Sequence, residues 1–308
     1  MFLLKLLLLI CGVGIFVIFG LCTYLNGIGL ESLMVKNDTC PRSDYRSSPA
    51  FPADLIVLYN RVPKTGSTSF TGLAYDLCSR NKFNVLHLNT SKNAHVLSLA
   101  DQMRFAQNIT RWTEKHPALF HGHLAWFDLT AFGVPRLPVY INIVRDPIDR
   151  LVSYYYFLRY GDDFRPYLSR RRQGDRKSID ECVTEQGKDC DPMNMWLQGD
   201  AIFLPRCRLL GAPGNFWALE QAKLNLANKY FLVGVTEEME DFVALLEATL
   251  PSMFRGASDL YLHGEKSHLR KTFNKTTPLP ATTEALRRSP FTRPKLNSTN
   301  LLSISFRW

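Results

Sequence analysis

The chain has 308 residues, 46% hydrophobic and 21% charged, with 37 Lys and Arg against 28 Asp and Glu. That composition excludes a largely disordered chain, and the length allows one large domain or two small ones. The net charge of +9 points to a polyanionic partner, whether nucleic acid, anionic lipid or sulfated sugar, because excess Lys and Arg concentrate anions.

Leu6 to Leu25 is an uncharged run of 20 residues that follows Lys5. A bilayer span needs about 20 residues and a secretory signal core about 7–15, so the run reads as a signal anchor, with a long cleaved signal peptide as the alternative. Lys5 on the short side keeps the N-terminus (residues 1–5) cytoplasmic and the remaining chain luminal, a single-pass type II topology. Either reading places the domain in the secretory pathway and removes nucleic acid as a partner. Glycosylation sequons at Asn37, Asn89, Asn108, Asn274 and Asn297 agree with that. Outside the anchor the cysteines are Cys40, Cys78, Cys182, Cys190 and Cys207. Cys182 and Cys190 are close enough to close a short loop in an oxidising lumen, and a buried or unpaired thiol is the plainer reading of the others.

Residues 26–53, polar with three prolines, read as a stem. LIVLYN (55–60) reads as a buried strand and Thr68 to Arg80 as a helix. Val85 to Leu88 reads as a strand, Ser98 to Trp112 as a helix, 119–127 as a strand and VYINIV (139–144) as a strand. Asp146-Pro147 starts a helix that runs from Ile148 to Arg159. A basic loop occupies 160–178; Phe216 to Asn228 is a helix, 231–235 a strand and Glu237 to Leu250 an amphipathic helix. Alternating strands and helices predict an α/β domain over 54–290 with a mainly parallel sheet covered on both faces. The segment 291–308 lacks periodicity and reads as a poorly ordered tail.

Two strand–turn–helix segments carry the chemistry. After LIVLYN, RVPKTGSTSF supplies one cation, Lys64, a permissive Gly66 and hydroxyls from Thr65, Ser67, Thr68 and Ser69. Such a loop aims backbone N–H groups and a helix N-terminus at an anion. It is not the Walker A order, and an ordinary Ser/Thr-rich turn is the plainer reading. The second segment puts Arg145 at a strand end, where α/β sheets bind ligands, and Ser153 two turns into the next helix. Together they suit a second phosphate; a surface Arg145–Asp149 pair is the alternative. His121 and His123 in HGH, two residues apart, are expected on one strand face. A metal pair is the rival reading of the two, but no nearby Asp or Glu completes a triad.

YNRVPKT-STSF, DQ-RF, HGH, YIN-RDPI-RLVSYYYFLR-GDD, FLVGVTEE-EDF and KSHLRKT together resemble the heparan sulfate 2-O-sulfotransferase family over roughly 55–290. The resemblance implies a P-loop-like sulfotransferase fold that uses 3′-phosphoadenosine 5′-phosphosulfate (PAPS) and no metal. It implies sulfuryl transfer to the 2-OH of a uronic acid, iduronate preferred, in a heparan sulfate chain. It implies that Lys64, Thr65, Gly66, Ser67 and Thr68 hold the 5′ phosphosulfate and that Arg145 and Ser153 hold the 3′ phosphate. Tyr261, Ser267, Thr272 and Lys275 are expected to close over the nucleotide. His123 is the expected general base, with His121 beside it; Tyr75, His87, Lys92, Arg170 and Arg270 are expected along the sugar cleft. The resemblance also implies a Golgi membrane location, glycans at Asn89 and Asn108, and trimeric assembly.

Arg165, Arg170, Arg171, Arg172, Arg176 and Lys177 fit a sulfated chain, or simply a solvated loop. The pattern departs at 199–216, where the family has a second cysteine pair and Cys207 has no evident partner, and again after 290. A chondroitin/dermatan uronyl 2-O-sulfotransferase and a non-catalytic luminal glycosaminoglycan-binding protein are the alternatives. A nucleotide kinase would need the Walker A G-x-x-x-x-G-K-[ST] order and a carboxylate for magnesium, and neither is evident here.

Overall fold

The computed structural model describes residues 35–36, 54–89, 95–192, 216–264 and 270–289. The anchor run, Lys92, Cys207, Ser267 and the tail therefore lie outside the described residues. The strands are β1 (Val35–Lys36), β2 (Ile56–Asn60), β3 (Asn84–Leu88), β4 (Ala118–Gly122), β5 (Val139–Val144) and β6 (Tyr230–Val235). They form one sheet in the order β1-β3-β4-β2-β5-β6, parallel except for β1, which pairs antiparallel with β3. β1 comes from the segment read as stem, so two of its residues extend the sheet edge.

The helices are α1 (Ser67–Asn81), α2 (Leu99–Arg111), α3 (Pro147–Tyr160), α4 (Ile179–Thr184), α5 (Phe216–Asn228), α6 (Met239–Thr249), α7 (Pro251–Phe254), α8 (Ala257–His263) and α9 (Pro280–Arg288). β2 is buried throughout, as a central parallel strand covered on both faces must be. Its alternate residues feed two cores. Val57 and Tyr59 meet Phe70 and Leu73 of α1 and Phe242 and Leu246 of α6. Ile56 and Leu58 meet Phe105 and Ile109 of α2 and Ala222 of α5. A third cluster joins α3, α4 and Leu286 of α9 around Cys182 and Cys190, which are bonded with their Cα atoms 6.1 Å apart. Cys78, buried on α1, is also disulfide-bonded rather than a free thiol.

The chain leaves β2 toward β3 and β4 on one side, then crosses to β5 and β6 on the other. The C-terminal ends of β2 and β5 therefore flank a topological switch point, the crevice where such sheets bind ligands. α3 starts as its sequence requires: the Asp146 side chain accepts from the N–H groups of Ile148 and Asp149, and Pro147 occupies the first turn.

One strand is shorter than expected. β4 ends at Gly122, not at residue 127, because the chain turns there and Leu124 N–H donates back to Gly122 O at 3.0 Å. Leu124 to Phe127 stay buried as a packed loop, and burial without pairing looks like a strand in sequence. A Cβ at Gly122 would stand 2.7 Å from Leu88 O, so the close approach of β3 requires glycine here.

Candidate active site

The loop after β2 is shaped by two left-handed residues, Lys64 (φ 66) and Gly66 (φ 76). A lysine in that region costs about 1–2 kcal/mol, a strain typical of functional loops. Gly66 caps α1 without a side-chain hydrogen bond, and no acidic residue sits in the first turn. The positive end of the helix therefore remains available for an anion.

The loop hydroxyls divide between tasks. Thr65 Oγ1, fully buried, donates to Val62 O at 2.9 Å and closes the loop on itself. Ser67 Oγ accepts from Arg61 at 3.3 Å. Thr68 Oγ1 accepts from Arg270 at 2.9 Å, and Ser69 Oγ accepts from the Arg270 N–H at 3.2 Å.

The two strand ends meet. Arg145 donates to Lys64 O at 3.3 Å and lies 3.7 Å from Glu237 rather than pairing with Asp149. Thr272 joins the two motifs, since Lys64 Nζ donates to its Oγ1 at 3.0 Å and Ser153 Oγ lies 3.4 Å away. Lys275 feels the Arg145 charge, and burial with that repulsion lowers its pKa. Tyr261 packs against the core on α8, where burial raises its phenol.

Lys64 sits 4.3 Å from the Phe157 ring, and burial, with help from Arg270, Arg145 and Arg170, lowers its pKa to about 7 against the pull of Asp162. Arg170 and Arg270, expected along the sugar cleft, turn in toward the same ring at 4.4 and 5.9 Å. The Nε atoms of Arg61, Arg170 and Arg270 are buried without a hydrogen-bond partner among the described residues, which suits a site built for an anion.

On the other side of the crevice the two histidines differ. His121 lies in β4 and His123 just beyond its end, so they do not share a strand face. Arg61 can only donate, so His121 Nδ1, 3.4 Å from Arg61 NH1, accepts, and His121 Nε2–H faces Tyr75 OH at 3.1 Å. Both ring nitrogens are engaged, and His87 stacks on the ring at 4.9 Å. His123 Nδ1 lies 3.0 Å from Arg61 O, which can only accept. That fixes Nδ1–H as donor and leaves Nε2 with the lone pair. Burial first, then the Arg61 charge, lowers the His123 pKa to about 3. The same two causes hold His121 well below the usual value.

Among the described residues no cluster of three or more His, Cys, Asp or Glu is arranged to hold a metal. The basic loop is partly tied down: Arg172 pairs with Asp189 at 2.8 Å and Lys177 with Glu185. Asn89 and Asn108 are both exposed. Three residues escaped the sequence reading. Arg61 bridges the histidines, Phe157 gathers the cations, and Asp162 is a buried carboxylate beneath them. Only the GDD run after a basic helix end hinted at the last.

Residues 53–198 match the family model described as Sulfotransferase family. "Heparan sulfate 2-O-sulfotransferase 1" of Pongo abelii is 58% identical over 77% of this chain and 66% of its own length. The Homo sapiens protein of that name matches equally. "Heparin sulfate O-sulfotransferase" of Drosophila melanogaster is 53% identical over 78% of this chain and 68% of its own.

The chain belongs to the heparan sulfate 2-O-sulfotransferase family.

It spans about two thirds of the length of the relatives it matches. The loop after β2 and the end of β5 that carries Arg145 are in contact, with Arg145 donating to Lys64 O at 3.3 Å. A solved mouse sulfotransferase complexed with PAP aligns over 83% of this chain and 86% of its own at 14% identity and TM-score 0.34, too distant a likeness to carry an argument.

Proposed function

We propose that the chain transfers a sulfuryl group from PAPS to the 2-OH of a uronic acid in heparan sulfate, iduronate preferred. The observation that carries this is the contact of the Lys64 loop with Arg145 and, through Thr272, with Ser153, beside a histidine whose tautomer leaves Nε2 basic. PAPS supplies the group transferred. The α1 N-terminus with residues 64–68 suits its 5′ end, and Arg145, Ser153 and Lys275 suit its 3′ phosphate. A sugar hydroxyl is a poor nucleophile, so His123 Nε2 takes its proton as attack begins. Lys64 offsets the charge that develops on the leaving oxygen. Arg61 and Tyr75 fix His121, which supports the acceptor side with His87. We place the domain in the Golgi lumen on a type II anchor, on the strength of the 20-residue uncharged run.

Calorimetry with adenosine 3′,5′-bisphosphate tests the donor site. The chain should bind it, and Arg145→Ala should weaken binding by about 10–100-fold, the effect of a hydrogen bond to a charged group. Unchanged affinity in Arg145→Ala would move the 3′ phosphate elsewhere, and no binding by the parent would remove the donor site altogether.

A further inference from the structure

A carboxylate lies beneath the cations that face the crevice. Asp162, which follows the C-terminus of α3, is fully buried. Its Oδ1 is 3.5 Å from Arg170 NH2, and its Oδ2 pairs with Arg270 NH2. Oδ1 also accepts the Arg165 N–H at 3.3 Å. The backbone of Asp162 bridges to Thr272, and Phe273 N–H donates to Gly161 O at 3.2 Å. One residue thus joins the segment that carries Arg270 and Thr272 to the end of the helix that carries Ser153 and Phe157.

We propose that Asp162 is a positioning residue of the donor site, an internal counter-anion that holds Arg170 and Arg270 beside Lys64 until a ligand anion arrives. A buried carboxylate costs several kcal/mol unless it is paired and hydrogen-bonded. Here two guanidinium groups lie within ion-pair distance and one backbone N–H donates to Oδ1, while Oδ2 has its Arg270 ion pair but no well-formed hydrogen bond among the described residues. One negative charge does not neutralise Lys64, Arg170, Arg270 and nearby Arg145, so the bundle stays short of negative charge and open to a polyanion. The buried, unpartnered Nε atoms of Arg170 and Arg270 agree, because an internal carboxylate satisfies only part of each guanidinium. This extends the donor-site reading and names how the cations are kept in register.

The charged groups that act on Lys64 are Asp162, Arg270, Arg145 and Arg170, so Lys64 reports on the arrangement without any nucleotide. Amine acylation of Lys64 in the full chain, followed by mass spectrometry from about pH 6 to 10, gives its titration midpoint. Asp162→Asn removes an attractive charge and should lower the midpoint by about one unit. Asp162→Glu should return it toward the parent. Arg270→Gln removes a like charge and should raise it, which keeps the test intact if Asp162→Asn does not fold. In calorimetry Asp162→Asn, which frees the two guanidinium groups, should bind adenosine 3′,5′-bisphosphate about tenfold more weakly than the parent, and Asp162→Glu should recover part of that loss; affinity equal to the parent's in Asp162→Asn would overturn the proposal. A purely structural role predicts an unmoved midpoint, and that result would overturn it as well. Midpoints shifted as expected in a chain that fails to bind the nucleotide would leave Asp162 in place and remove the donor-site reading instead.

Discussion

His123→Ala should lower turnover by about 10²–10⁴-fold, the usual cost of a lost general base. Affinity for adenosine 3′,5′-bisphosphate and thermal stability should stay near the parent, because the ring meets the loop at the backbone oxygen of Arg61, three residues before Lys64, and belongs to none of the core clusters. The pH dependence separates a base from a bystander. In the ligand-free protein burial and Arg61 hold His123 at about 3, so kcat/KM should fall only in strong acid. Bound anions raise that pKa, so the acid limb of kcat should lie at higher pH. Both limbs should vanish in the variant. The same shift has a stability consequence. Between about pH 3 and the ordinary 6.5 the unfolded chain binds a proton on this ring that the folded chain does not, so stability falls as pH drops through that window. His121→Ala should not reproduce the pH effect, because Arg61 and Tyr75 engage both of its nitrogens. Full activity in His123→Ala would move the role to His121 or His87.

Lys64→Ala should slow transfer by about 10²–10³-fold, the cost of losing one preorganised charge at a developing oxyanion. A direct signature accompanies it. With its pKa at about 7, Lys64 is mostly neutral at pH 8, and phosphate anions beside it favour the charged form. Nucleotide binding at pH 8 should therefore take up nearly one proton, read by calorimetry in buffers of different ionisation enthalpy. Lys64→Ala should abolish that uptake. The sign for stability follows: between about 7 and 10.5 the unfolded chain holds a proton on Lys64 that the folded chain lacks, so this term stabilises the fold as pH rises through the window. Equal uptake in parent and variant would assign the proton to another group.

The residues visible in sequence were those whose role depends on a local pattern. A short apolar run before a turn placed β2 and β5, Asp146-Pro147 placed the start of α3, and the eight-residue spacing placed Cys182 with Cys190. Lys64 and Arg145 followed from their positions at strand ends. Their mutual contact depends on the crossover order of the sheet, which no local window contains. Asp162 was illegible for the same reason: its partners Arg170 and Arg270 lie 8 and 108 positions away along the chain. The histidine face was misjudged because Gly122 ends β4 between the two rings, where period-two reasoning stops. Arg170 and Arg270 are expected along the sugar cleft, and their contacts with the buried Asp162 carboxylate and the Phe157 ring are not contained in any local window. The short helices α7 to α9 carry too few turns for periodicity to declare them.

The most direct measurement uses the purified chain, labelled PAPS, and heparan or dermatan acceptors, followed by disaccharide analysis of the products. The proposed function predicts label on the 2-position of uronic acid in heparan disaccharides, with iduronate labelled in preference to glucuronate. Label confined to dermatan products, or an acceptor that binds without becoming labelled, would contradict it.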